Sequence, residues 1–306
     1  MFPIVTVDRT RAEIIEQLGT KSKFWYTRDG VRTLFKAEER GTGEDWAEKV
    51  ACELAELLGL PHVYYDMALE SESLTPGVVC AAFLGRGESL AHGNQLMLAI
   101  DENYPRDGRR YHVSAHTVRA VTGVLELLKP PDARWAGRLP AGVTHTIDIF
   151  AGYLMFDAWI ANQDRHHQNW GAIFRPAQPI GSLTLAPSYD HGASMARNVS
   201  DAEKHERLTS KDRGRGVPAF AKRARSALFK SSDDAKPLTT LAAWSEVARL
   251  RPSASAWVER LRAVAAVQVE HILAEVPPQR MSAICRDFTL ELLSENRRRI
   301  LEGETE

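Results

Sequence analysis

The chain has 306 residues, 44% hydrophobic and 26% charged, with a formal net charge of −1. That length is long for one hydrophobic core and suits one large domain or two lobes. The composition is that of an ordinary globular protein, and the balanced charge gives no sign of nucleic-acid binding by the chain as a whole.

From the N-terminus, "EIIEQLGT" predicts a short helix ending near Gly19. "KFWYT" and "RTLFKAE" read as strands, with the Asp29-Gly30 pair between them as a hairpin signal. "GTGEDWAEKVACELAELLGLP" predicts a helix with Thr42 as its cap. Trp46, Val50, Leu54 and Leu57 recur there at helical spacing, and Gly59 and Pro61 stop the run. "HVYYDMAL" and "GVVCAAFL" are strand-like. The remainder reads as mainly helical. "THTIDIFAGYLMFDAWIAN" places Ile147, Phe150, Leu154 and Ala158 on one helix face. "GAIF" and "LTLAP" read as a small hairpin ending in "SYDHG". Helices follow over "LTTLAAWSEVARL", "SAWVERLRAVAAVQVEHILAEV" and "ICRDFTLELLSENRRRIL". Strands first and helices after predict an α+β protein in two lobes, divided at residues 1–85 and 86–306.

Three cysteines, Cys52, Cys80 and Cys285, lie far apart without a CxxC spacing. They form neither a disulfide framework nor a zinc motif and read as free thiols of a reducing cytosol. Asp8, Arg9 and Arg11 come too early for a signal peptide, and no apolar run reaches the ~18 residues of a membrane span. A cytoplasmic protein is the expectation. One stretch is unevenly charged: residues 197–230 hold ten Lys/Arg against four Asp/Glu. It reads as an exposed loop and solvated helix face, or as a surface for an acidic or nucleic-acid-bound partner.

The densest chemistry lies in "NQDRHHQNWG", Asn162 to Gly171. A metal site on His166 and His167 is weakly supported, because adjacent histidines diverge and no second Cys/His cluster exists. Asp164 and Asn169, by contrast, have the D-x-x-x-x-N spacing of a phosphoryl-transfer loop. There an aspartate accepts the proton of the attacking hydroxyl, and an amide oxygen holds Mg²⁺ without adding charge. Asp190 in "LAPSYDHG" supplies a second hard oxygen ligand from another segment. Lys36 lies on a strand-like run and needs a glutamate from the following helix; Glu48 is preferred over Glu53. Gly19, Thr20, Lys21, Ser22 and Lys23 form a small, basic stretch whose backbone N–H groups suit phosphate oxygens, though it matches neither common glycine-rich pattern.

Four islands, "GTKSKFW", "FKAEERGTGEDWAEKVACELAELLGLP", "NQDRHHQNWGAIF" and "LAPSYDHGAS", together resemble the HipA-like serine/threonine kinases, a bacterial branch related to phosphatidylinositol kinases. The resemblance implies a two-lobed protein-kinase-like fold, with a small β-rich N-terminal lobe and a larger, mostly helical C-terminal lobe. It implies an ATP- and Mg²⁺-dependent kinase acting on a protein Ser/Thr hydroxyl, with an antitoxin-like partner. Asp164 would be the base, and Asn169 and Asp190 would bind Mg²⁺. Lys36 with Glu48 would meet the nucleotide phosphates, covered by Gly19 to Lys23. Ala82, Phe83 and Leu84 would receive the adenine. Arg165 would hold the loop, and His166 would orient a phosphate or Asp164. Ser22 and Thr20 are candidates for self-phosphorylation. A lipid or small-molecule kinase and a nucleotide-binding pseudokinase are the alternatives.

Overall fold

The computed structural model describes residues 1–15, 22–38, 40–106, 109–178 and 180–304. Six strands of the N-terminal region form one sheet: β1 (Ile4–Val7), β2 (Ile14–Ile15), β3 (Lys23–Arg28), β4 (Val31–Ala37), β5 (Asp66–Glu70) and β6 (Pro76–Ala81). Their order is β1-β5-β6-β4-β3-β2. The β1–β5 pair is parallel and the others are antiparallel. Asp29 and Gly30 join β3 to β4 with φ of 50° and 78°, the left-handed pair a tight hairpin needs. The helix expected over "EIIEQLGT" is not found where the chain is described. Ile14 and Ile15 are strand β2, paired with Trp25 and Phe24, while 16–21 lie outside the described residues. Two β-branched side chains beside an open sheet edge outweigh a weak local helix preference.

Strand alternation sorts the β4 side chains. Phe35 and Ala37 join Phe24, Tyr26 and Val79 in a core on one face. Leu34 and Lys36 point to the other, where Leu34 meets Val78, Cys80 and Tyr189. Helix α1 (Glu44–Leu58) follows β4. Its start differs from expectation. Gly43, at φ 81°, is the N-cap and offers no side chain, while the Thr42 hydroxyl accepts from Arg197. Glu38 takes over the capping: its carboxylate accepts the N–H groups of Arg40 (2.9 Å), Thr42 (3.3 Å) and Glu44 (2.5 Å). A carboxylate at a helix N-terminus also complements the helix dipole. Gly59, at φ 67°, ends the helix as predicted. α1 is buried on nearly every face because it lies between the sheet and the helices.

The chain then forms β7 (Ser89–His92), α2 (Gly93–Ile100), α3 (Val118–Leu125), the short α4 (Ala133–Ala136) and α5 (Thr146–Ile160). β8 (Gly171–Arg175) and β9 (Ser182–Leu185) form the expected hairpin, and β7 adds to it as a third strand. The C-terminal helices are α6 (Asp201–Thr209), α7 (Val217–Ala221), α8 (Thr240–Leu250), α9 (Ser255–Ala263), α10 (Ala266–Ala274) and α11 (Ala283–Leu301). α5 is the centre of this part, and every one of its residues is buried, not one face only. It packs on α8 and α11.

The run expected as one helix from "SAWVERL" to "ILAEV" is two helices. The Arg297 guanidinium donates to the carbonyls of Leu261 (3.3 Å), Arg262 (3.0 Å) and Val264 (3.1 Å), satisfying the end of α9. Seven of the ten basic side chains of the stretch 197–230 are exposed, as expected, and three are not. Arg197 is tied to Thr42, Gly192 and Glu44; Lys204 is buried against Cys285; and Arg207 bonds Glu203 over the Phe220 ring. No helix of the described residues is long and apolar enough to cross a membrane. All three cysteines are free and buried.

Candidate active site

The loop after α5 is built around one buried ion pair. Ala161 closes the helix in the left-handed conformation, at φ 52°. The chain then turns back so that Arg165, 1% exposed, reaches Asp157 on the last turns of α5. The guanidinium grips the carboxylate with Nε at 2.7 Å and a terminal nitrogen at 2.8 Å. The same group donates to the Asn169 carbonyl and to Ser188 Oγ, both at 2.9 Å. Asn162 adds its amide to Asp157 at 2.8 Å. Arg165 thus points into the protein and ties both ends of the loop. A planar fork with fixed donors suits this task.

Held by this anchor, the Asp164 carboxylate turns outward, and its side chain is 21% exposed. The Asn169 amide nitrogen donates to the Asp164 carbonyl at 2.8 Å and to Oδ2 at 3.3 Å. With the nitrogen so engaged, the amide oxygen is the lone-pair donor left for a cation. His166 Nε2 lies 3.5 Å from Asp164 Oδ1. Its Nδ1 accepts the Gln168 N–H at 3.1 Å, which assigns the ring proton to Nε2, the side facing Asp164. Burial pushes the His166 pKa down to about 4, although Asp190 works to raise it, so the ring is neutral. His167 turns elsewhere, with Nδ1 and the Tyr104 hydroxyl 2.7 Å apart. No group of three His, Cys, Asp or Glu fit to hold a metal occurs among the described residues.

Lys36 comes from β4 on the other side. Its ammonium lies 2.9 Å from Glu48 Oε1 on α1 and also bonds Asp190 Oδ1. Burial opposes this charge, but Asp190 and Glu48 overcome it and hold the lysine pKa above its ordinary value. Glu53 pairs with Lys49 and not with Lys36. Glu48 Oε2 accepts the His191 N–H at 2.6 Å. His191 Nε2 in turn lies 2.7 Å from Ser188 Oγ, the hydroxyl that Arg165 reaches. One buried chain of contacts therefore runs from Asp157 through Arg165, Ser188, His191 and Glu48 to Lys36 and Asp190. Asp190 adopts φ 59°, a left-handed conformation that a short polar side chain tolerates. The strand-like bridge from His62 to Ser188 pins the segment before it to the end of the α1 connection.

The sequence-predicted residues Lys36, Glu48 and Asp190 are thus in direct contact, as are Asp164, His166 and Asn169. Ser22 and Lys23 lead into β3, where Lys23 is paired with Lys36 across the sheet, while Gly19, Thr20 and Lys21 lie outside the described residues. Ala82 follows β6, and its N–H is taken by the Arg32 carbonyl at 2.8 Å. Phe83 stacks on Tyr189, centroids 6.0 Å apart at 22°, so apolar surface lines the end of β6 beside the Asp190 loop. Four residues in contact with the predicted ones escaped sequence reasoning: Tyr111, whose hydroxyl bonds Asp164, and Asp157, Ser188 and His191. Asp157 left a signal, one of two carboxylates in an otherwise apolar helical run, which must find a partner when buried.

No protein-family model and no curated protein sequence matches the chain. Solved structures do. The crystal structure of CtkA, a proinflammatory kinase of Helicobacter pylori, matches with a TM-score of 0.72 at 17% identity, over 98% of this chain and 96% of that one. HipA of Shewanella oneidensis MR-1, in its complex with HipB and operator DNA, matches with a TM-score of 0.58 at 13% identity, over 95% of this chain and 68% of that one. The β-rich N-terminal region and the mostly helical remainder share the fold of these two structures.

Proposed function

We propose that this protein is an ATP- and Mg²⁺-dependent kinase that transfers the terminal phosphate to a protein Ser/Thr hydroxyl. The observation that carries the reading is the meeting of Lys36, Glu48 and Asp190, from strand, helix and loop, beside the Asp164–Asn169 loop. Asp164 is the base for the acceptor hydroxyl. Asn169 and Asp190 are the protein ligands for Mg²⁺. Two oxygen ligands are few for a cation held by protein alone but suit one that shares its shell with substrate phosphates. Magnesium would neutralise charge on the transferring phosphate when bound. Lys36, kept charged by two carboxylates, meets the nucleotide phosphates; Glu48 fixes its position. Gly19 to Lys23 cover the phosphates, and the segment 82–84 receives the adenine. Arg165 positions the loop, and neutral His166 orients Asp164.

The HipA match was crystallised with HipB and operator DNA. A small DNA-binding partner is the corresponding proposal here, and co-purification with the product of a neighbouring gene tests it.

Incubating the purified protein with Mg-ATP and a cell lysate, followed by phosphosite mass spectrometry, tests the activity. Asp164→Asn is expected to keep Mg-ATP binding and lose transfer by about 10²–10⁴-fold, the usual worth of a positioned base. Asp190→Ala is expected to abolish the thermal shift given by Mg-ATP. Wild-type turnover by Asp164→Asn would remove Asp164 from the role of base.

A further inference from the structure

Asp164 is not waiting for a distant hydroxyl. The Tyr111 hydroxyl donates to its Oδ1 at 2.7 Å. Tyr111 belongs to none of the motifs and comes from the segment between α2 and α3. His112 beside it adopts φ 57°, a left-handed turn at which the chain redirects. The Tyr111 ring stands edge-on to His166, with centroids 5.4 Å apart and planes at 84°. Yet the residue is 55% exposed. Apolar burial therefore does not account for its place; the hydroxyl end is what is held.

Two further facts locate that hydroxyl. The phenol pKa is raised by burial first, and then by the charges of Asp164 and Asp190, so both carboxylates act on it. The other Asp164 oxygen faces the Asn169 amide at 3.3 Å. The phenol thus donates to Asp164 Oδ1, the oxygen that His166 also faces, within electrostatic reach of Asp190. A hydroxyl whose proton points at the proposed base is what the acceptor in a phosphoryl transfer requires.

We infer that Tyr111 is itself a phosphate acceptor, phosphorylated by its own chain; this rests on the kinase reading above. In the step, the phenolic oxygen bonds to the terminal phosphorus of ATP. The bond from that phosphorus to the bridging oxygen breaks, and its electron pair leaves with ADP. The phenolic proton passes to Asp164 and then to water. The products are phosphotyrosine, ADP and one proton. The new group carries about two negative charges. Placed against Asp164 and Asp190 it is repelled, so the modified ring swings out of the site. Arg110, whose charge already acts on the phenol, is at hand to pair with the phosphate. Departure of the ring opens Asp164 to other acceptors.

The test is a time course of the full chain with Mg-ATP, read by phosphosite mass spectrometry, for wild type, Tyr111→Phe and Asp164→Asn. Phosphotyrosine at position 111 is expected, with a half-time unchanged on dilution because the reaction is intramolecular. It should be lost in Asp164→Asn. Transfer to other acceptors should show a lag in the wild type that preincubation with ATP removes, and no lag in Tyr111→Phe. If the wild type phosphorylates other residues or proteins while Tyr111 stays unmodified, this inference fails and the kinase reading stands. If the wild type consumes no ATP with any acceptor, both fail. A half-time that lengthens on dilution would overturn transfer within one chain.

Discussion

At the scale of single residues, the site depends on which charges are buried and what compensates them. Glu48 is 1% exposed, and its carboxylate meets the Lys36 ammonium and the His191 N–H. Removing one member of such a pair strands the other. Lys36→Met is therefore expected to lose about 3–5 kcal/mol of stability, besides activity. Adding Glu48→Gln should restore part of that stability, because no buried charge is then left alone, and should restore no activity. Urea unfolding of the two variants beside the wild type checks the first expectation, and phosphate transfer checks the second. Equal stability of Lys36→Met and wild type would mean that the pair contributes nothing to the fold. The types and order of these residues were legible in the sequence: Lys36 on a strand, Glu48 on the next helix, and Asp164, Asn169 and Asp190 at phosphoryl-transfer spacing. Tyr111, Ser188 and His191 were not, because nothing in their local pattern sets them apart. Only contacts across 53 residues for Tyr111 to Asp164 and 143 for His191 to Glu48 give them meaning.

At the scale of elements, helices and loops place these residues by packing more than by propensity. Helix α5 is not amphipathic in its surroundings. The sequence pattern marks a face, but the helix is buried all round, since α3, α8 and α11 pack on it and the Tyr153 hydroxyl donates to the Ala186 carbonyl just after β9. Gly152 in its middle admits the Trp257 indole, which donates to the Asp148 carbonyl at 2.7 Å. A methyl group at Gly152 would run into that ring. Gly152→Ala should thus destabilise by about 1–3 kcal/mol through overpacking, although alanine is the better helix former. Thermal unfolding measures it, and a rise in the midpoint would show that helix propensity wins over the clash. The same competition explains the other departures. Ile14 and Ile15 yield to a neighbouring strand, and a helical run splits where Arg297 satisfies the carbonyls of its first half. Thr42 gives up the cap of α1 to Glu38, whose carboxylate reaches three N–H groups at once.

At the scale of the molecule, several histidines are folded in their neutral form. Burial pushes His116 down to about 3 and His166 to about 4, and takes His191 well below 6.5. His116 Nε2 accepts the Trp170 indole N–H at 3.0 Å, which requires that nitrogen to be unprotonated. With folded pKa values below the unfolded 6.5, the unfolded chain binds protons first as pH falls. Stability is therefore complete above pH 6.5 and declines as pH drops toward 4, by about 1.4 kcal/mol for each tenfold displacement of the proton equilibrium. Denaturant midpoints across that range test it, and a flat profile would contradict the buried neutral state. Taken alone, the sequence determined the strand-then-helix order, the hairpin turns, the spacing of Asp164 and Asn169, and the resemblance to HipA-like kinases, because turn chemistry, periodicity and short motifs are local. It did not determine that Lys36 meets both Glu48 and Asp190, that Arg165 faces inward to Asp157, or that the Tyr111 hydroxyl donates to Asp164. Those contacts join segments far apart in the chain, and close packing with the pairing of buried charges selects them only when the whole molecule has folded.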